Sequence, residues 1–256
     1  MRENSILPEE SFEMTKKLTY KHTTAAGYVG YITQAIVNNF VTLLFVHFHS
    51  EFTLPYSQIT LLITINFTTQ LVLDFLSAYF VDRIGYRVTI VAAHFLSAAG
   101  LIGMAFLPDI MPPFAGLLVA VVLYAMGGGL IEVVVSPIIE ACPTENKAGS
   151  MSLLHSFYCW GTVAVIVVST VFFALFGIDN WRVMACLWAL VPIVNGVAFL
   201  FVPVFTLTEK GESTFKCIVC GKVAPREIDP LGLSMTPEEL LTVQNMTGNA
   251  LGGRLD

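Results

Sequence analysis

The stretch SAYFVDRIGYRVTI, Ser77 to Ile90, sets three charges (Asp82, Arg83 and Arg87) and one glycine (Gly85) between two long apolar runs. In a chain of 256 residues that is 55% hydrophobic and only 12% charged, such a concentration of charge needs a reason. A mean hydropathy of +0.73 puts the chain in the membrane class rather than among water-soluble domains. Charge in such a chain collects where it leaves the bilayer, so Asp82 to Arg87 reads as a very short turn between two membrane-crossing helices.

Outward from that turn, six apolar segments are long enough to cross a bilayer, since about twenty residues at ~1.5 Å of rise cover roughly 30 Å. They run from Thr24 to Phe48, Ile59 to Val81, Val88 to Leu107, Pro113 to Ile139, Met151 to Phe176 and Arg182 to Phe205. None keeps the strict alternation of a barrel strand, so all six are expected to be helices. The first run is longer than the apolar part of a cleaved leader and no small-residue cleavage site follows it, so it too is expected to remain in the membrane. The fold class expected is therefore an all-α membrane protein: a six-helix transmembrane bundle over residues 24–208, a segment 1–23 ahead of it, and a polar, partly disordered tail over 209–256. That tail carries one short helix signal, TPEELLTVQ, with Thr236 as cap and Pro237 at the first helical position.

The basic residues set the orientation. Arg2, Lys16, Lys17 and Lys21 precede the first span, Arg83 and Arg87 lie in the second loop, Lys147 in the fourth, and Lys210, Lys216, Lys222, Arg226 and Arg254 in the tail. The first and third loops, HSEFTLPY and PDIMPP, hold none, and the fifth, GIDNWR, holds Arg182. Twelve of the thirteen thus fall on one side of a six-span topology with both termini inside, which predicts a multi-pass protein of the plasma membrane with cytoplasmic ends.

Other functional classes are disfavoured. The net charge of −6 is spread without a basic stripe, so nucleic acid is not an expected partner. Cys142, Cys159, Cys186, Cys217 and Cys220 show no disulfide framework, and the Cys217–Cys220 pair lacks a second pair of ligands, so neither a metal nor another cofactor is expected. Asn245-Met246-Thr247 has the spelling of a glycosylation site but lies on the expected cytoplasmic side. No nucleophile, base and orienting group occur together, so the chain is not read as an enzyme.

The spelling of the charged turn goes further than its charge. Asp82, Arg83, Gly85 and Arg87, between the second and third of six spans, resemble the signature loop G-x-x-x-D-R-x-G-R-R/K of the major facilitator superfamily. Ala78 stands at the first glycine and Tyr86 replaces one basic residue. The resemblance implies a conformational latch, with Asp82 holding this bundle against a second one near a helix amino terminus, where a carboxylate is favoured. Asp74, two turns before Asp82, is read as part of the same charge network.

GGGLIEVVVSPIIEACP, Gly127 to Pro143, is similar to the fourth helix of fucose-permease-type sugar–proton symporters, with Glu132 as the membrane acid and Ser136 and Pro137 after it. VNNFVTLL in the first span resembles that family's paired asparagines, with Thr42 at its acidic position, and LLHSFYCWG sets His155 and Tyr158 where the family presents amides to sugar. A drug-type exporter is the rival substrate class, but the fifth span has no proline. Members of the superfamily have two such bundles. Two readings therefore stand open: a half or truncated carrier that pairs with a second copy or a separate carboxy-terminal bundle, and a non-transporting remnant or assembly subunit.

Glu132 is the leading candidate for chemistry. A carboxylate at that depth costs about 2–3 kcal/mol, and a carboxyl that can take up and release a proton is what proton coupling requires. His155 is expected at similar depth and could relay a proton with it. Tyr31, Gln34, Asn38, Asn39 and Thr42 on the first span, Asn66 and Gln70 on the second and Tyr158 on the fifth offer the amides, hydroxyls and aromatic faces that bind a small polar solute. Packing between helices is the competing use of the same groups, and His94 is read as packing alone.

Overall fold

The computed structural model describes residues 18–205, apart from the side chain of Ala78, and these residues belong to one compact unit. The expectations placed on residues 1–17 and on the tail beyond 205, including Cys217, Cys220 and the TPEELLTVQ helix, lie outside the described residues. Among the described residues every element is helical: α1 (Tyr20–Leu43), α2 (Phe45–Glu51), α3 (Tyr56–Ile84), α4 (Tyr86–Ile110), α5 (Pro113–Ala141), α6 (Lys147–Phe176), a 3₁₀ turn (Ile178–Asn180) and α7 (Trp181–Phe201). Five helices are long and apolar enough to cross a membrane, and α1 with α2 makes a sixth span bent by 46°.

That bend corrects the expectation of one straight helix from Thr24 to Phe48. No proline or glycine marks it. Asn39 Nδ2 donates to the Ala35 carbonyl (2.8 Å) and Thr42 Oγ1 to the Asn38 carbonyl (3.3 Å), back-bonds of the kind that bend helices. At the break the Leu44 N–H reaches Val41 O at 2.9 Å, a tight 3₁₀-like closure, and the ladder resumes with Phe48 N–H to Leu44 O. The bend keeps the buried Phe48 edge-on to the buried Trp181, ring centroids 5.0 Å apart.

The charged turn also differs from its reading as a loop. Asp82 and Arg83 belong to the last turn of α3 and Arg87 to the first turn of α4, with Gly85 alone between the two helices. Its φ of +97° with an extended ψ of 145° is a conformation that only glycine adopts without strain. Elsewhere the helices start or stop a few residues from the apolar limits, and at α6 a polar cap sets the start. Asn146 accepts the Gly149 N–H at 2.8 Å and starts α6 at Lys147, not Met151.

Helix α5 is the centre of the bundle: 61% of its membrane window is buried, against 22% for α3 and 17% for α6. Its three successive glycines explain how. Residues of an α-helix are set about 100° apart, so consecutive positions face different neighbours. An added Cβ would meet Ser97 and the Ala93 carbonyl of α4 at Gly127, Val37 of α1 at Gly128, and the Gln70 backbone of α3 at Gly129. Close approach of three helices to one is thereby encoded in three residues.

Buried polar groups tie the remaining contacts. His94 on α4 is fully buried, donates from Nδ1 to Ile90 O (2.7 Å), and accepts at Nε2 from Asn195 Nδ2 of α7 (2.8 Å). Asn195 Nδ2 also donates to Ala26 O of α1 at 3.0 Å, so the histidine acts in packing, as read from the sequence. At the Gly85 end the Arg87 guanidinium donates to the carbonyls of Phe199 (3.2 Å), Leu200 (2.6 Å) and Val202 (2.8 Å), closing the carboxy-terminal end of α7. At the opposite end Arg182 lies 3.0 Å from both Glu51 Oε1 and Asp109 Oδ1, and Trp181 Nε1 donates to Glu51 Oε2 at 2.7 Å. The basic residue that departs from the charge pattern is thus paired with two acids.

Candidate functional site

A cavity of about 440 Å³ opens between α1, α3, α5 and α6. From α1 it takes Tyr31, Gln34 and Asn38, positions three or four apart and so on one helical face. From α5 it takes Glu132, and from α6 His155 and Tyr158. Helix α3 adds Gln70 and Asp74 with the apolar Phe67 and Leu71. Eight of the residues singled out in the sequence are therefore brought to one place.

They are also linked to one another. Gln34 Nε2 donates to Glu132 Oε2, so the acid has an amide partner on α1. Glu132 nonetheless stays exposed to the cavity and is not sealed in a helix interface. Gln70 Nε2 donates to Asn38 Oδ1 at 2.8 Å and to Asn66 Oδ1 at 3.1 Å, and Asn38 Nδ2 donates to Tyr158 OH at 3.4 Å, which joins α3, α1 and α6 in a single polar chain. The Tyr31 hydroxyl lies 2.8 Å from Ser136 Oγ, and its ring meets His155 edge-on, centroids 5.6 Å apart. Glu132 and His155 face the same cavity, with no hydrogen bond between them among the described residues.

Three of the expected solute-binding residues stand elsewhere. Asn39 turns between α1 and α6, donating to Ala35 O (2.8 Å) and Thr162 Oγ1 (3.3 Å). Thr42 donates to its own helix and borders a separate recess of about 10 Å³, too small for a solute. Asn66 borders that recess too and is 6% exposed, serving the cavity as a buried acceptor for Gln70.

Asp74 is the residue whose position differs most from its reading. Eight residues along a helix are about 12 Å of rise, so Asp82 lies two turns beyond Asp74 and does not line the cavity. Asp74 instead lines the cavity with Glu132, and its Oδ1 is shielded from water without a hydrogen-bond partner among the described residues. Asp82 Oδ1 accepts from the Tyr86 hydroxyl at 3.4 Å, Arg83 is exposed, and Arg87 is engaged with α7. Phe67 and Leu71 were not anticipated. With Gln70 and Asp74 they form an i, i+3, i+4, i+7 stripe, a signal available in the sequence had the apolar positions been counted with the polar ones.

The described residues thus form a multi-pass helical bundle with a polar cavity open between four of its helices. The Major Facilitator Superfamily profile matches residues 27–234, and the chain belongs to that family. The match extends beyond residue 208, where the resemblance read from the sequence stops. No curated protein matches the chain. Among solved structures it is similar to the proton:xylose symporter XylE bound to 6-bromo-6-deoxy-D-glucose, at 16% identity and a TM-score of 0.64, over 73% of this chain and 45% of that one. It is also similar to a mutant of the peptide transporter POT in complex with sulfate, at 16% identity and a TM-score of 0.56, over 98% of this chain and 45% of that one. The same transporter in complex with alafosfalin matches at 14% identity and a TM-score of 0.55, over 98% of this chain and 46% of that one. The chain spans less than half the length of these transporters. Such likeness establishes the fold, an all-helical major facilitator half.

Proposed function

We propose that this bundle is one half of a carrier that moves a small polar solute with protons by alternating access, and that Glu132 carries the proton. The observation behind this reading is the cavity itself, in which the Glu132 carboxylate of α5, open to solvent and held by Gln34, faces amides and hydroxyls from three other helices and shares the space with Asp74 of α3. His155 is the second proton-handling group, since its imidazole faces that cavity. Amides of Gln34, Asn38 and Gln70 and the rings of Tyr31 and Tyr158 are suited to the hydroxyls and apolar faces of a sugar, the class implied by the resemblance of the α5 sequence.

The second bundle, from another copy or a separate chain segment, covers the open side of the cavity between the sparsely covered α3 and α6. In this reading Asp82 with Arg83, Gly85 and Arg87 latches the two bundles in one state. The Gly85 end faces the cytoplasm, following the distribution of lysine and arginine.

The test uses the full chain in proteoliposomes, an inward proton gradient and a panel of labelled monosaccharides and amino sugars. Gradient-driven accumulation of one panel member, lost in Glu132→Gln while exchange of that solute at equal pH persists, is the expected outcome. No accumulation by the wild type, or accumulation undiminished in Glu132→Gln, would remove the proton-coupling role.

A further inference from the structure

We infer that the solute held in this cavity carries a protonated amine, and that Asp74 is the carboxylate that receives it. The inference rests on the carrier reading above and narrows its substrate class.

The cavity takes two carboxylates, Asp74 from α3 and Glu132 from α5, and its described walls contain no lysine or arginine to balance them. The two acids are not equivalent. Glu132 has its amide donor in Gln34, whereas Asp74 Oδ1 is shielded from water and has no hydrogen-bond partner among the described residues. Asp74 is half-buried, and a carboxylate oxygen shielded from water without a donor is best matched by a proton or by a positive charge delivered with the solute. Gln70, the nearest amide on the same stripe of α3, cannot supply the match, because its Nε2 is already given to Asn38 and Asn66.

The rest of the cavity tells an ammonium group from a metal ion. Tyr31, Phe67 and Tyr158 are among its lining residues, and aromatic rings attract organic cations. Among the described residues no three His, Cys, Asp or Glu side chains converge as metal ligands. A space of about 440 Å³ also exceeds what a bare ion needs, and leaves Asn38 and Tyr158 to meet hydroxyl or carbonyl groups elsewhere on the solute. An amino sugar, or another small polar molecule with one basic nitrogen, fits both the two acids and the amide wall. The division of labour is then physical: Asp74 holds fixed charge with the amine, and Glu132 is free to exchange a proton.

The experiment measures thermal unfolding of the full chain in lipid nanodiscs, in potassium buffer, against matched pairs: glucosamine with N-acetylglucosamine, and choline with its neutral isostere 3,3-dimethylbutanol. The expected result is a rise in Tm of a few degrees with an amine and none with its neutral partner. Asp74→Asn should weaken the amine's apparent affinity by roughly 10-fold to 100-fold, the worth of a charge-assisted hydrogen bond, while Asp109→Asn, which removes an acid paired with Arg182 outside the cavity, retains it. Should Asp74→Asn fail to stay monodisperse, Asp74→Glu decides, because it keeps the charge and must keep the preference for amine over neutral partner. Equal shifts with the neutral partners, a full shift with sodium chloride alone, an amine shift unchanged in Asp74→Asn, a preference for amine lost in Asp74→Glu, or no shift across the panel would each overturn the inference. Binding of amines at Asp74 is read without a proton gradient, so it is separable from failure of the Glu132 uptake test.

Discussion

Replacing Gly127, Gly128 and Gly129 by alanine one at a time should give a graded series that follows the three different neighbours of α5. At Gly127 the new Cβ would lie 2.2 Å from Ser97 Oγ and 2.5 Å from both Ala93 O and Ser97 N. The serine hydroxyl can rotate, but the two backbone atoms cannot, so α4 and α5 must part by on the order of 1 Å. Overpacking of this kind costs about 1–3 kcal/mol, against a gain of about 1 kcal/mol from the better helix propensity of alanine. With two rigid backbone atoms inside contact distance the overpacking lies in the upper part of that range, about 2–3 kcal/mol, so the net loss is about 1–2 kcal/mol, which lowers Tm by roughly 2–8 °C. At Gly129 the Cβ would come 3.2 Å from Gln70 Cα, a backbone contact that needs a few tenths of an ångström, and the gain and the cost nearly cancel. At Gly128 the nearest atom is a Val37 methyl at 3.0 Å, and stability should equal or slightly exceed that of the wild type. Thermal unfolding in nanodiscs, read as the fraction remaining monodisperse after heating, gives the order. A Gly127→Ala protein as stable as the wild type, or Gly128→Ala as the most damaging of the three, would refute the assignment of each glycine to its neighbour.

Two further substitutions test the ends of the bundle. Arg87→Met removes three donors from the last carbonyls of α7 and should cost about 1–2 kcal/mol in thermal unfolding, with Arg87→Lys recovering part of it; a stable Arg87→Met protein would sink the clamp. Glu51→Ala leaves the Trp181 indole N–H without its acceptor and Arg182 with one acid fewer, and should cost about 2 kcal/mol, whereas Glu51→Gln keeps an acceptor and should cost about half of that. Equal Tm values for the two variants would show that the indole hydrogen bond carries no weight.

The span count was legible because bilayer thickness forces long apolar runs, a signal that survives uncertainty at each end. The bend at Leu44 was not, because it arises from side-chain back-bonds of Asn39 and Thr42 and from the seating of Phe48 on Trp181, a partner more than a hundred residues away. The cavity was legible on α1, where Tyr31, Gln34 and Asn38 keep a helical period. On α3 the polar pair Asn66 and Gln70 pointed to the right helix at a slightly different rotation. The face turned to the cavity is the one holding Phe67 and Leu71, and Asn66 supports it from behind. Asp74 was drawn toward Asp82 by shared charge, although of the two only Asp74 lines the cavity.

A connection of one residue between α3 and α4 has no slack. Gly85 holds the end of the helix that presents Gln70 and Asp74 to the cavity, and two residues later the chain grips the end of α7 through Arg87. A longer loop would absorb a small slide or twist of α3 by changing shape, but a single glycine passes it on. Whatever draws α3 inward at the cavity therefore tugs on α7 at the Gly85 end of the bundle, through one glycine and the Arg87 side chain.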